Sequence, residues 1–331
     1  EQLDTNSLLN NIDEFPNINE LLDKSDIYTN YDSKSFETIR AVSAVTNGFE
    51  KPEKYKFKYN NRNIDLFLGE DKNLKNVSKT KSVFEEYYQK GYSIYVNSWY
   101  IPHCRFDENF IKKCFQVPYG SDLGGKILSF YSPKSIFFLH LNYLIPGSKY
   151  LSKIGFFENN FKVFDHKNYS FNWYKNNYLI QNENFLKQIK KDDANLIFYQ
   201  SIIAHPPIFY NRETNSLFNE YQEVYDYLEK KYKDKNIDSL LYAYNYENLY
   251  LLDNLIKNIS KILKEKKIFD SSKIILHGDT GLSLKIKSQN IEDLSGKTLL
   301  LIKNKNQKTR KIINQYFGPR DLYNEIVSMA E

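Results

Sequence analysis

The sequence predicts an α/β fold built on an open sheet, and three observations carry that prediction. Ser82 to Gln89 (SVFEEYYQ) has the amphipathic spacing of a helix, stops at Gly91, and leads into Tyr92 to Val96 (YSIYV), which reads as a strand. Asn195 to Ile203 (NLIFYQSII) is a mostly apolar run with a β-branched tail, the pattern of a parallel-sheet strand buried on both faces. Leu252, Leu255, Ile256, Ile259, Ile262 and Leu263 recur at helical spacing and are followed by Lys273 to Leu276 (KIIL), a short buried strand. Alternating helices and strands must bury their apolar faces against each other, which gives a layered α/β domain.

The remaining elements follow from local chemistry. Pro16 to Leu22 (PNINELL) reads as the first turn of a helix, since proline suits an early helical position whose N–H has no partner. Lysines at 264, 266 and 267 complement the negative end of the long helix. Thr298 to Ile302 (TLLLI) is another strand, and Asp321 to Met329 a final helix. The stretch from Arg105 to Lys190 is less regular and rich in Asn, Tyr and Phe, and reads as an insertion covering the site. Within it, Ile136 to Ile145 is a buried strand or helix, about half the length of a membrane span.

Composition excludes several classes. The chain has 331 residues, 41% of them hydrophobic and 26% charged, enough to build a sizeable core. Twelve glycines and nine prolines rule out collagen-like and proline-rich chains. A net charge of +5 without a long basic block argues against nucleic acid as a partner. The two cysteines, Cys104 and Cys114, have neither metal-finger nor CxxC spacing, but are close enough for a small disulfide loop. The start (EQLDTNSLLN) has neither the basic nor the apolar stretch of a signal peptide.

The strongest local chemistry is His277 to Gly281 (HGDTG), directly after KIIL. A carboxylate between two glycines at a strand end is accessible, which suits a metal ligand or a general base, although an aspartate capping a turn has the same local look. Gly120 to Lys126 (GSDLGGK) satisfies GxxxxGK, but Ile127 stands where a phosphate-binding loop needs Ser or Thr. His103, His140 and His166 have no motif around them, and His103 beside Cys104 is adjacency without geometry.

Four segments in order resemble the alkaline phosphatase superfamily, in particular its sulfatase-like branch with the phosphoethanolamine and phosphoglycerol transferases. Pro16 to Asn30 (PNINELLDKSDIYTN) is similar to that branch's start, and Ser33 to Gly48 (SKSFETIRAVSAVTNG) to its nucleophile segment. Ala204 to Tyr210 (AHPPIFY) is similar to its histidine segment. Glu247 to Gly281 is similar to its helix containing an aspartate, here Asp253, followed by a strand and a metal-binding aspartate, here Asp279. The resemblance implies a three-layer sheet with helices on both faces, in a single sulfatase-like catalytic domain over residues 1–331, N-terminally shortened, with an insertion around 105–190.

It also implies a site. The nucleophile is Thr38, ten residues before Gly48, with Ser35 as the alternative because Asn47 shifts the register. Metal ligands are Glu1 (or Asp4), Thr38, Asp279 and Thr280, around a zinc or manganese ion. His205 is the catalytic or substrate-binding histidine, and His277 a further ligand or a supporting residue. One departure stands out: Thr280 occupies the place of the family's histidine, and a hydroxyl is a poorer zinc ligand than an imidazole. No C/S-x-P-S-R sequence surrounds Thr38, which disfavours sulfatase activity.

The implied activity is transfer of a phosphoethanolamine or phosphoglycerol group through a phospho-threonine, from a phospholipid or other phospho-donor to a surface glycan or lipid. A degenerate binding protein, and a phosphodiesterase or phosphatase using water, share the same residues. The implied location is extracytoplasmic, periplasmic or cell-surface, with tethering to the cytoplasmic membrane through a segment absent from this chain. In that oxidising compartment Cys104 and Cys114 would pair.

Overall fold

A computed structural model describes residues 5–35, 37–50, 52–60, 63–70, 73–99, 101, 103–116, 166–192, 196–201, 203, 210–232, 237–280 and 298–328. Two short helices, α1 (Thr5–Asn10) and α2 (Pro16–Leu22), precede strand β1 (Asp26–Tyr28) and helix α3 (Thr38–Asn47). A three-stranded antiparallel meander follows: β2 (Lys54–Asn60), β3 (Asn63–Glu70) and β4 (Asn73–Asn76). Next come α4 (Val83–Gln89), β5 (Ile94–Ser98), α5 (His103–Phe106) and β6 (Lys113–Gln116). Helix α6 (His166–Ile189) leads to β7 (Leu196–Tyr199), the hairpin β8 (Tyr210–Asn211) and β9 (Ser216–Leu217), and helices α7 (Tyr221–Tyr232) and α8 (Ile237–Glu265). The chain ends with β10 (Ile274–His277), β11 (Leu300–Lys303), β12 (Lys311–Ile313) and α9 (Pro319–Ser328).

Two sheets carry the architecture. One has the order β10-β11-β1-β12, and the other the order β6-β5-β7 with parallel pairing throughout. Helices cover both faces, as the alternation along β11 demonstrates. Leu299 and Leu301 enter the large core with α2 and α8, whereas Leu300 and Ile302 pack with Val45 of α3 and Leu322 of α9. Side chains alternate across a strand, so one tetrapeptide seals two helix layers. Strand β7 does the same, with Ile197 and Tyr199 on one side and Leu196 and Phe198 on the other.

Helix boundaries follow local signals. Pro16 is the first residue of α2, and Ser82 caps α4 by accepting a hydrogen bond from the Glu85 amide at 3.2 Å. Gly48 ends α3 in the left-handed region at φ 68°, where a Cβ would lie 2.7 Å from the Arg320 guanidinium. Phe15, at the N-cap of α2, provides no side-chain cap. Asp253 of α8 supplies one instead, accepting from the amides of Asn17 at 2.9 Å and Ile18 at 2.8 Å and from the Asn17 side chain at 2.6 Å. A buried carboxylate on a helix N-terminus is stabilised by the amides and by the helix dipole, so this contact fixes α2 against α8.

Several expectations need correction. Strand β7 lies in a parallel sheet as expected, but it is half-buried, and the fully buried strand is its partner β5. Strand β10 is also half-buried and pairs antiparallel with β11. The supposedly irregular middle contains β6 and the 24-residue helix α6, whose sparse apolar pattern hid its periodicity. Helix α8 begins well before Leu252, and α9 begins at Pro319. Ile136 to Ile145, His140 and Gly120 to Lys126 lie outside the described residues. A disulfide joins Cys104 and Cys114, tying α5 to β6. Among the described residues no helix is long and apolar enough to cross a membrane.

Asp253→Ala is expected to lower stability by about 1–3 kcal/mol, the cost of leaving buried amides without an acceptor. Chemical denaturation measures it; an unchanged midpoint would show that the cap contributes nothing.

Candidate functional site

The candidate site lies at one end of the β10-β11-β1-β12 sheet. Strand β11 pairs antiparallel with β10 on one side, placing His277 opposite Leu300, and antiparallel with β1 on the other, placing Tyr28 opposite Leu300. Beyond the paired residues, the Gly278 amide donates to Leu299 O at 2.9 Å, and the Thr298 amide donates to Tyr31 O at 3.3 Å. The residues following β10 and those following β1 therefore converge on the start of β11. Asp279 and Thr280 arrive from one direction, Tyr31 to Ser35 from the other.

Alternation decides which face they use. Ile275 packs in the cluster with Val45 of α3, and His277, two residues on, lies on that same face of β10. Its ring meets the Tyr31 ring edge-on, with centroids 6.1 Å apart. Asp279 follows by two more residues; it is buried, and its charge is felt by both Tyr31 and His277. Burial, reinforced by the negative charge of Asp279, pushes the Tyr31 phenol well above its ordinary range, so the hydroxyl keeps its proton.

Burial also holds His277 below its usual pKa, against the opposing pull of the Gly278 carbonyl and of Asp279. The ring is neutral at pH 7. Its Nδ1 lies 3.1 Å from Gly278 O, and a carbonyl only accepts, so Nδ1 carries the proton. Nε2 then bears the lone pair, the form of imidazole that binds metals or accepts protons.

The nucleophile segment shows how two neighbouring hydroxyls differ. Ser35 is buried, and its Oγ both accepts from the Glu37 amide at 3.0 Å and lies 3.2 Å from Glu37 O, to which it donates. It is committed to a local turn. Thr38 is half-buried and is the first residue of α3, after the extended N-cap Glu37. Glu37 gives the helix no side-chain cap; its carboxylate pairs instead with Arg40 Nε at 2.9 Å. A threonine at the start of a ten-residue helix sits where the positive end of the dipole favours a developing negative charge.

Other sequence candidates separate from this cluster. His103 is fully buried, with Nδ1 3.3 Å from Asp107 Oδ2 and its ring edge-on to Phe84 and Phe198, a core histidine. His166 opens α6. Asp253 is the cap of α2. Glu1, Asp4, His205 and Gly281 lie outside the described residues. Among the described residues no group of three or more His, Cys, Asp and Glu side chains could hold a metal ion. Asp279, His277 and the hydroxyls nearby supply part of a donor set, short of the four ligands zinc takes. Tyr31 was missed in the sequence because only strand register brings it to His277 and Asp279; its local pattern has no motif.

No protein-family model matches the chain. No curated protein matches it either. Solved structures do. The sulfatase PsFucS1 from Pseudoalteromonas sp. matches with a TM-score of 0.54 and 10% identity, over 96% of this chain and 62% of that one. The phosphonate monoester hydrolase SpPMH from Silicibacter pomeroyi matches with a TM-score of 0.53 and 11% identity, over 100% of this chain and 71% of that one. A protein in the alkaline phosphatase superfamily from Vibrio parahaemolyticus matches with a TM-score of 0.50 and 13% identity, over 98% and 62%. The chain thus has the alkaline phosphatase and sulfatase-like fold, and spans roughly two thirds of the length of these proteins.

Proposed function

We propose that this chain is a phosphotransferase that moves a phosphoethanolamine- or phosphoglycerol-type group through a covalent threonine intermediate on Thr38. The observation that carries this reading is the placement of Thr38 at the start of α3, a helix that packs on the same sheet face as His277. The fold supports it, since its solved examples include a sulfatase and a phosphonate monoester hydrolase.

In this reading Thr38 Oγ1 attacks the phosphorus of a phosphodiester donor. A new P–O bond forms to Thr38, and the bond to the donor's alcohol breaks. The threonine proton ends on that departing alcohol, with His205 as the proposed carrier. An acceptor hydroxyl on a surface glycan or lipid then attacks the same phosphorus, the bond to Thr38 breaks, and the threonine recovers its proton. Positive charge from the α3 dipole favours the anionic transition state. In this reading Ser35, held by the Glu37 backbone, serves the turn and leaves the attack to Thr38.

A zinc or manganese ion, when bound, would lower the pKa of the threonine hydroxyl and neutralise phosphoryl oxygens. Asp279 is its proposed ligand, with Glu1, Thr38 and Thr280 completing the set and His277 in support. The donor is a phospholipid or similar phosphodiester. We place the protein outside the cytoplasm, tethered to a membrane through a segment beyond this chain, with residues 1–331 as one catalytic domain. The Cys104–Cys114 disulfide is consistent with an oxidising compartment.

Thr38→Ala is expected to reduce kcat for a chromogenic phosphodiester by at least about a thousandfold. Ser35→Ala is expected to change it only a few-fold. Equal losses in both variants would overturn the assignment. Transfer to an added alcohol, followed as an alkyl phosphodiester product, separates transferase from hydrolase; release to water alone would support the phosphodiesterase reading.

Elemental analysis after loading with zinc or manganese and dialysis is expected to find close to one ion per chain, and well under half of that in Asp279→Asn. No metal in either chain would favour a binding protein with a degenerate site.

A further inference from the structure

The meander β2-β3-β4 presents a feature that the site does not use. Strand β2 reads KYKFKYN, lysine alternating with an aromatic residue. Alternation sends Lys54, Lys56 and Lys58 to one face and Phe57 to the other. The second face is core: Leu66 and Leu68 of β3 are fully buried and pack, with Phe57, against Ile39 and Ala44 of α3. On the first face all three lysines are exposed.

The register defines what surrounds them. Opposite Lys54, Lys56 and Lys58 on β3 stand Gly69, Phe67 and Asp65, and β4 adds Leu74 and Asn76 beyond. Among the described residues, three lysines share this face with one carboxylate, Asp65. The Lys58 ammonium lies over the Phe67 ring at 4.7 Å. Residues two apart on a strand repeat every roughly 6.8 Å, so the lysines form a straight row about 14 Å long.

The row has a direction. Its first lysine follows Glu53, whose carbonyl accepts a hydrogen bond from the Arg40 guanidinium in the first turn of α3. The Lys54 end is thus tied to the helix turn that begins with Thr38, and the Lys58 end points away along the sheet.

We propose that this lysine row is a docking face for a linear anionic glycan, one carrying phosphate or sulfate groups along its length. A row of single charges at regular spacing complements a chain of single charges. Phe67, half-buried beneath Lys58, is too recessed to serve as a wedge in a bilayer. A membrane-binding face needs an exposed apolar surface beside its cations, and this one has none among its described residues. The binding does not rest on Thr38 being the reactive group.

The test measures binding of fluorescein-labelled dextran sulfate and of polyphosphate to the chain by anisotropy. The comparison is with K54Q/K56Q/K58Q and with K54R/K56R/K58R, folding being checked by circular dichroism. The parent chain and the arginine variant are expected to bind, with affinity falling as salt rises. The glutamine variant is expected to bind on the order of a hundredfold more weakly, taking each exposed cation near the upper range of a surface ion pair. Thr38→Ala is expected to bind as the parent does, so loss of the nucleophile assignment and loss of the docking face are told apart. Absence of binding, binding unaffected by the glutamine substitutions, or lysine-dependent binding only to phosphatidylglycerol vesicles would each overturn the proposal.

Discussion

The pairing of β11 with β1 on one edge and β10 on the other is the constraint on which the candidate site depends. Residues 26–31 and 274–280 are separated by most of the chain, and only their shared neighbour brings them to one sheet end. Strand β11 can hold both because it is buried along its whole length, with leucines and isoleucine facing two helix layers. Its last residue extends the same control. Lys303 is buried, and its ammonium donates to the carbonyls of Asp270 at 3.2 Å, Ser272 at 2.9 Å and Asn304 at 3.3 Å. One cation thus anchors the turn that leads into β10, and burial lowers its pKa.

Around that strand, the helices carry different duties. On one face α2 and α8 form a unit stapled by Asp253, and its role is positional. On the other face α3 delivers Thr38 at its N-terminus, with Gly48 turning the chain sharply at its far end. The meander then returns along α3, so its buried leucines brace that helix while its lysines face outward. Sheet, helix and meander are thereby coupled to one short segment, 33–38, in which a serine serves the turn and a threonine begins the helix.

Much of the fold was legible in the sequence wherever a local rule sufficed. Pro16 at a helix start, the amphipathic run from Ser82 to Gln89 and the apolar run in 196–199 each need only nearby residues. That run's apolar character implied a parallel sheet, while its partner β5 is set by the fold. What failed were properties set at long range: β7 and β10 are apolar enough to be central strands but sit half-exposed, because burial depends on how many neighbours a strand finds. Helix α6 has too little amphipathic contrast to announce itself. At the site, HGDTG marked Asp279, but Tyr31 could be found only through register. Asp253 was noted by resemblance, and its physical task, capping α2, needed coordinates.

The central claim is that Thr38 carries the covalent group. Rapid quenching of the chain with a phosphodiester donor, followed by peptide mass mapping, tests it most directly. The account predicts a mass increment of the transferred group on the peptide containing Thr38, localised to that residue and absent from Thr38→Ala. An increment on Ser35 instead, or turnover without any adduct, would contradict it.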